Sequence, residues 1–110
     1  MPKDIDFRGT SLEDLRSFPS GAMRDAGYQL DKVQNGVDPS DFKPMRGIGS
    51  GVYEIRVWDD SGTYRVIYVA KFVHTVHVLH CFQKKTEKTS QRDLDLARSR
   101  FKELIKEIRA

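Results

Sequence analysis

The chain has 110 residues, enough for one domain around one modest core, so residues 1–110 are read as a single unit. Its 32% charged residues are interspersed with 38% hydrophobic ones, which excludes a disordered chain, and no apolar run approaches bilayer length. The net charge of +3 is uneven: Lys/Arg against Asp/Glu stand at five to eight in residues 1–41, five to three in 42–83 and nine to five in 84–110. The basic pole is C-terminal, which suggests an anionic ligand there; a solvated helix face would read the same on charge alone.

Along the chain, Lys3–Arg8 alternates as a short edge strand. Thr10-Ser-Leu-Glu13 resembles a capping box that starts a short helix through Leu12 and Leu15, stopping near Phe18-Pro19. Pro19 opens a second helix carrying Met23, Ala26, Leu30 and Val33, and Asn35-Gly36 stops it. Asp38–Asp41 reads as a turn and Gly47–Gly51 as a flexible connection, since it lacks the Lys-Ser/Thr ending of a nucleotide loop. The period then changes to two. Val52–Asp59 is a strand, Asp59–Gly62 a hairpin turn, and Thr63–Phe72 a long strand apolar on both faces, hence central. Thr75–Phe82 is the next strand. Ser90–Asp93 caps a last helix with the apolar stripe Leu94, Ala97, Phe101, Ile105 and Ile108. The order β-α-α-β-β-β-α predicts an α+β domain: a helical hairpin and a C-terminal helix packed on one face of a small antiparallel sheet.

Strand parity selects the chemistry, because alternate residues share a face. Glu54 and Arg56 lie together, opposite Tyr53, Ile55 and Val57. Arg65 is a lone cation in a strand suited to burial, so it requires a partner. Two readings stand open: Glu54 or backbone satisfies it structurally, or an RNA phosphate does so functionally. His80 shares parity with Phe82 and Lys84 and is either a hydrogen-bonded core residue or an acid/base. The spacing of His74, His77 and His80 does not suit a metal on a strand, and no metal site is expected. Lys43 and Arg46 stand before the glycine run, placed to swing over a groove or to be plain loop charge. The apolar run ending in Phe82 stops abruptly at Lys84, Lys85 and Lys88, a rigid base with cations at its end. Cys81 lies inside that run, a buried thiol suited to a reducing compartment, and Met1–Asp6 is polar with no signal segment; a cytoplasmic location is expected.

Gly51–Arg56, Tyr64–Tyr68, Leu79-His-Cys-Phe-Gln-Lys-Lys-Thr-Glu-Lys-Thr89 and Leu96–Phe101, with Leu12–Pro19 ahead of them, together resemble the RelE/HigB toxin superfamily, nearest its phage-derived HigB-like branch. The resemblance covers nearly the whole chain. It implies the toxin of a type II toxin–antitoxin pair: an endoribonuclease that cleaves mRNA, mostly during translation, without metal or other cofactor. It implies a cognate antitoxin, such as a small helix-turn-helix protein, as partner. Carried onto this chain, it puts Arg65 at the scissile phosphate. Lys84 and Lys85 serve transition-state charge or docking, Arg56 and Lys43 flanking phosphates, with Arg46 and Lys88 on the RNA-binding surface. His80 and Tyr68 are the acid/base candidates. A non-catalytic binding module that kept the fold and grips a protein or RNA partner is the competing class.

Overall fold

The computed structural model describes residues 2–110. Its elements are β1 (Asp4–Phe7), α1 (Ser11–Arg16), α2 (Ser20–Gln34), β2 (Phe42–Pro44), β3 (Val52–Asp59), β4 (Gly62–Val69), β5 (Thr75–Lys84) and α3 (Gln91–Arg109). The strands form one five-stranded sheet in the order β1-β5-β4-β3-β2. The fold is α+β as expected, but the sheet is mixed: β1 runs parallel to β5, pairing Asp4 with Thr75 and Phe7 with Val78, while the other pairs are antiparallel. No described helix is long and apolar enough to cross a membrane.

The helices cover both faces, not one. Leu15 and Phe18 of α1 and Ala22, Ala26, Leu30 and Val33 of α2 pack on Ile55, Val57, Tyr64, Val66, Val78 and Cys81. Ala97 and Leu104 of α3 pack on Val52, Ile67, Val69, Leu79 and Phe82 across the sheet. This follows from β4, whose residues Tyr64–Val69 are all buried: a strand apolar on both faces needs cover on both. The α3 stripe runs through Leu94, Ala97, Phe101 and Leu104 at near-helical period, leaving Ile108 exposed, so the expected Ile105–Ile108 end of the stripe is displaced.

Local signals explain the boundaries. At the end of α2 the Gly36 N–H bonds to the Val33 carbonyl and the Val37 N–H to the Lys32 carbonyl, with Gly36 at φ +77°. That is a Schellman stop, which favours glycine in the left-handed region. Ser90 caps α3, its hydroxyl accepting from the Asp93 N–H at 3.1 Å. The expected Thr10–Glu13 box does not form: Thr10 has a turned backbone, and its hydroxyl donates to Asp14 and accepts from Arg100. β4 ends at Val69 rather than Phe72; the Ala70 carbonyl accepts from Lys3, and Phe72 leaves the strand to pack with the α3 core. β2 is a three-residue strand where a loop was expected. The glycine run is packed rather than loose: a Cβ on Gly49 would sit 2.2 Å from the Phe101 ring, and Arg98 donates to the Gly47 carbonyl.

One irregularity sets the face of every residue that follows it. Ile67 pairs with His80 but Tyr68 pairs with Val78, so Leu79 is an extra residue in β5. This bulge puts Leu79 and His80 on the α3 face in succession and shifts the parity of the strand.

Candidate nucleic-acid interface

The register stacks the candidate side chains in three rows across the face that carries α3. The first row is Lys43 (β2), Glu54 (β3), Ile67 (β4) and His80 (β5); the second is Arg56, Arg65 and Phe82; the third is Trp58, Thr63 and Lys84. Directly opposed residues of antiparallel strands share a face, so each row is contiguous. α3 lies along β5; farther across this face Trp58 is exposed and Arg56 and Thr63 are half-buried, while Glu54 and Arg65 are buried.

Glu54 is the centre of charge. Its side chain is wholly buried, and Arg65, 5% exposed, donates from a terminal guanidinium nitrogen to its Oε1 at 2.9 Å. Lys43 Nζ stands 3.8 Å from the same oxygen from the half-exposed side. Glu54 Oε2 and Arg65 Nε are buried and have no hydrogen-bond partner in the protein. Such orphans carry a desolvation cost, which the Arg65–Glu54 pair offsets only in part. Lys84 has its pKa lowered, first by partial burial and then by Arg65, against the opposing pull of Glu54; Lys43 and Arg56 push in the same direction as Arg65. Lys43, Arg56, Arg65 and Lys84 therefore form one electrostatic group.

Arg56 and Trp58 are held by a single acid, Asp41. Arg56 bonds through Nε at 2.8 Å and its terminal nitrogen at 2.6 Å to Oδ1, and the Trp58 indole N–H donates to Oδ2 at 3.0 Å. The Trp58 bond first, and Arg56 next, lower the Asp41 pKa despite its partial burial. Four cations thus face two carboxylates, leaving a surface of positive sign.

The remaining candidates are distributed unevenly. Lys85 and Lys88 are exposed in the loop after β5, where with Thr86 and Ser90 they rim a depression of about 180 Å³ continuous with Lys84. Arg46 lies in the β2–β3 loop, in a depression with Ser50 and Tyr53 apart from the cluster. Tyr68 faces the other side of the sheet, stacked on Tyr53, and burial first and Asp38 next push its hydroxyl pKa up; the structure does not bring it to the cluster. His80 is 4% exposed, with Nε2 at 2.7 Å from Asp93 and Nδ1 accepting from Arg100 at 3.3 Å. Both ring nitrogens are engaged, and its ring stacks on Phe82 at 5.0 Å. Burial, aided by Arg100, lowers its pKa against the pull of Asp93. It looks into a cleft of about 580 Å³ between α1 and α3, lined by Asp14, Arg92 and Arg100.

Sequence reading missed Trp58 and Asp41. Trp58 was detectable, since it shares parity with Glu54 and Arg56; Asp41 was not, because its role depends on β2 folding back along β3.

The family described as Phage derived protein Gp49-like (DUF891) matches residues 13–102. Among solved structures, that of the E. coli toxin RelE, a double arginine-to-alanine mutant in the free state, superposes with a TM-score of 0.62. It covers 94% of this chain and 99% of the other at 18% identity, a likeness of fold. No curated protein matches the chain in sequence.

Proposed function

From the premise that the chain belongs to the phage-derived Gp49-like family, we propose that it is the toxin of a type II toxin–antitoxin pair, of the HigB-like branch, acting as a metal-independent mRNA endoribonuclease. The observation that carries this reading is the group of four cations, Lys43, Arg56, Arg65 and Lys84, that the strand register gathers around buried Glu54 on one face of the sheet. Metal-free cleavage needs a ribose 2′-oxygen to attack the adjacent phosphorus while the P–O5′ bond breaks. The 2′-hydroxyl loses a proton to solvent water, the 5′-oxygen gains one from Lys84, and a 2′,3′-cyclic phosphate and a 5′-hydroxyl result. Arg65, fixed by Glu54, and Lys43 neutralise the charge that builds on phosphorus. Lys84, whose lowered pKa makes it a readier acid, faces the leaving oxygen. Arg56, Lys85 and Lys88 hold flanking phosphates. His80 positions Phe82, the cross-strand neighbour of Arg65, rather than moving protons, and Tyr68 takes no part. The substrate is mRNA, met during translation in the cytoplasm, and the partner is an antitoxin of helix-turn-helix type.

The test is inducible expression with and without the adjacent reading frame. Growth arrest, mRNA fragments with 5′-hydroxyl ends, and relief of both by co-expression are expected. Intact mRNA in arrested cells would overturn the catalytic reading. It would favour instead a binding module of the same fold, for which the specific observation is that Arg65 is already paired.

A further inference from the structure

We propose that Trp58 is a stacking platform for an unpaired base of the bound RNA strand; this rests on the function proposed above and names how that surface engages single strands. Trp58 is 64% exposed, although a tryptophan usually buries most of its large apolar surface. The other large exposed apolar residues, Tyr28, Val37, Val73 and Ile108, lie on α2, its C-terminal turn, the β4–β5 loop and α3, away from the three rows. Trp58 alone of these ends a row of the cationic face, across Thr63 from Lys84.

Its ring is also held. The indole N–H bond to Asp41 fixes the side chain, and the same carboxylate fixes Arg56. One acid thus sets an aromatic face and a phosphate-binding cation in a constant relation. Two strand spacings separate Trp58 from Lys84, roughly 10 Å between backbones. A phosphate held at Lys84 leaves the base of a neighbouring nucleotide within reach of the indole. Stacking on an aromatic face between cations is the way proteins hold single strands without reading a fixed sequence. A duplex, with its bases stacked inward, offers no free base to this platform.

Trp58 is the chain's one tryptophan, so intrinsic fluorescence reports on it alone. The probe is a short single-stranded 2′-O-methyl oligoribonucleotide, which lacks the attacking hydroxyl and stays intact. Saturable quenching is expected, with an abasic strand of equal charge binding but quenching little. By anisotropy of a labelled probe, Trp58→Ala should weaken binding about tenfold. Trp58→Phe, which keeps a ring and loses the N–H, should stay within about threefold, and both variants should keep the wild-type melting temperature. Equal losses in the two variants would trace the effect to the Asp41 bond and overturn stacking. Salt-sensitive binding without quenching, unaffected by Trp58→Ala, would overturn this inference and leave the proposed function standing. Quenching by the co-expressed partner protein and not by RNA would assign Trp58 to a protein interface and overturn it too. No binding by the wild-type protein would overturn this inference, while growth arrest and mRNA cleavage decide the proposed function separately.

Discussion

Glu54 shows what a single buried residue commits the protein to. A carboxylate removed from water is tolerable only beside a cation, and Arg65 is that cation. Arg65→Ala should therefore destabilise the fold by about 3–5 kcal/mol through the stranded charge. Adding Glu54→Gln to that variant should recover part of the loss. Urea denaturation of the three proteins checks this; an Arg65→Ala protein as stable as the wild type would show that the pair is not desolvated. His80 makes a second residue-scale prediction. Its folded pKa lies below the ordinary value of about 6.5. Between the lowered value and 6.5 the unfolded chain binds more protons than the folded one, so stability rises with pH across that window. It is fully present above 6.5 and lost as pH falls through the window. His80→Gln should flatten that acid limb of a plot of denaturation midpoint against pH, and an unchanged slope would remove His80 as its source.

Among the elements, legibility followed the strength of the periodic signal. α2 and α3 were readable because apolar residues recur at helical spacing between a good start and a good stop. β2 was not: three residues ending in proline carry no period, and the strand is defined by its pairing with β3, from Phe42 with Ile55 to Pro44 with Tyr53. The bulge at Leu79 was equally hidden, since an extra residue changes register without changing composition. The parallel pairing of β1 left no mark on its own four residues. The two-sided burial of β4 had a signal, its apolar run on both parities, that should have placed α3 on the second face. In the site, the Arg65–Glu54 pair was one of two open readings, while the placing of Arg65 one row from Lys84 depends on the β4–β5 register, which strand parity does not give. Leu104→Ala should cost about 2–5 kcal/mol by opening a cavity under α3. Ile108→Ala, at an exposed position, should shift stability by no more than about 0.5 kcal/mol. Melting curves of the pair test where the α3 stripe ends; a larger loss from Ile108 would place it at the old position.

Across the whole molecule, charge is sorted by sequence and then again by folding. The acidic N-terminal third supplies Asp41, which holds Arg56 and Trp58, while the later strands supply Lys43, Arg65 and Lys84 to the same face of the sheet. Binding of a single strand should weaken steeply with salt, because cations displace its counterions. Lys84→Ala with Lys85→Ala should reduce the slope of log affinity against log salt by about 1.4. Folding stability should stay within about 0.5 kcal/mol, since Lys85 is exposed and Lys84 is only partly covered. Salt titrations by anisotropy, with melting temperature alongside, measure both. An unchanged slope would take the two lysines off the binding surface.

The parallel pairing of β1 with β5 has a consequence in time. Asp4 meets Thr75, and Phe7 meets Val78, so the first strand waits about seventy residues for its neighbour. Contacts so distant along the chain form late and slow the search for the native state. During vectorial synthesis β3 and β4 can close as a hairpin early, bringing Arg56 and Arg65 together, but Lys84 joins them only when β5 has emerged. The cationic face is thus among the last features to assemble, and an unfinished chain carries the pieces of the site without the site.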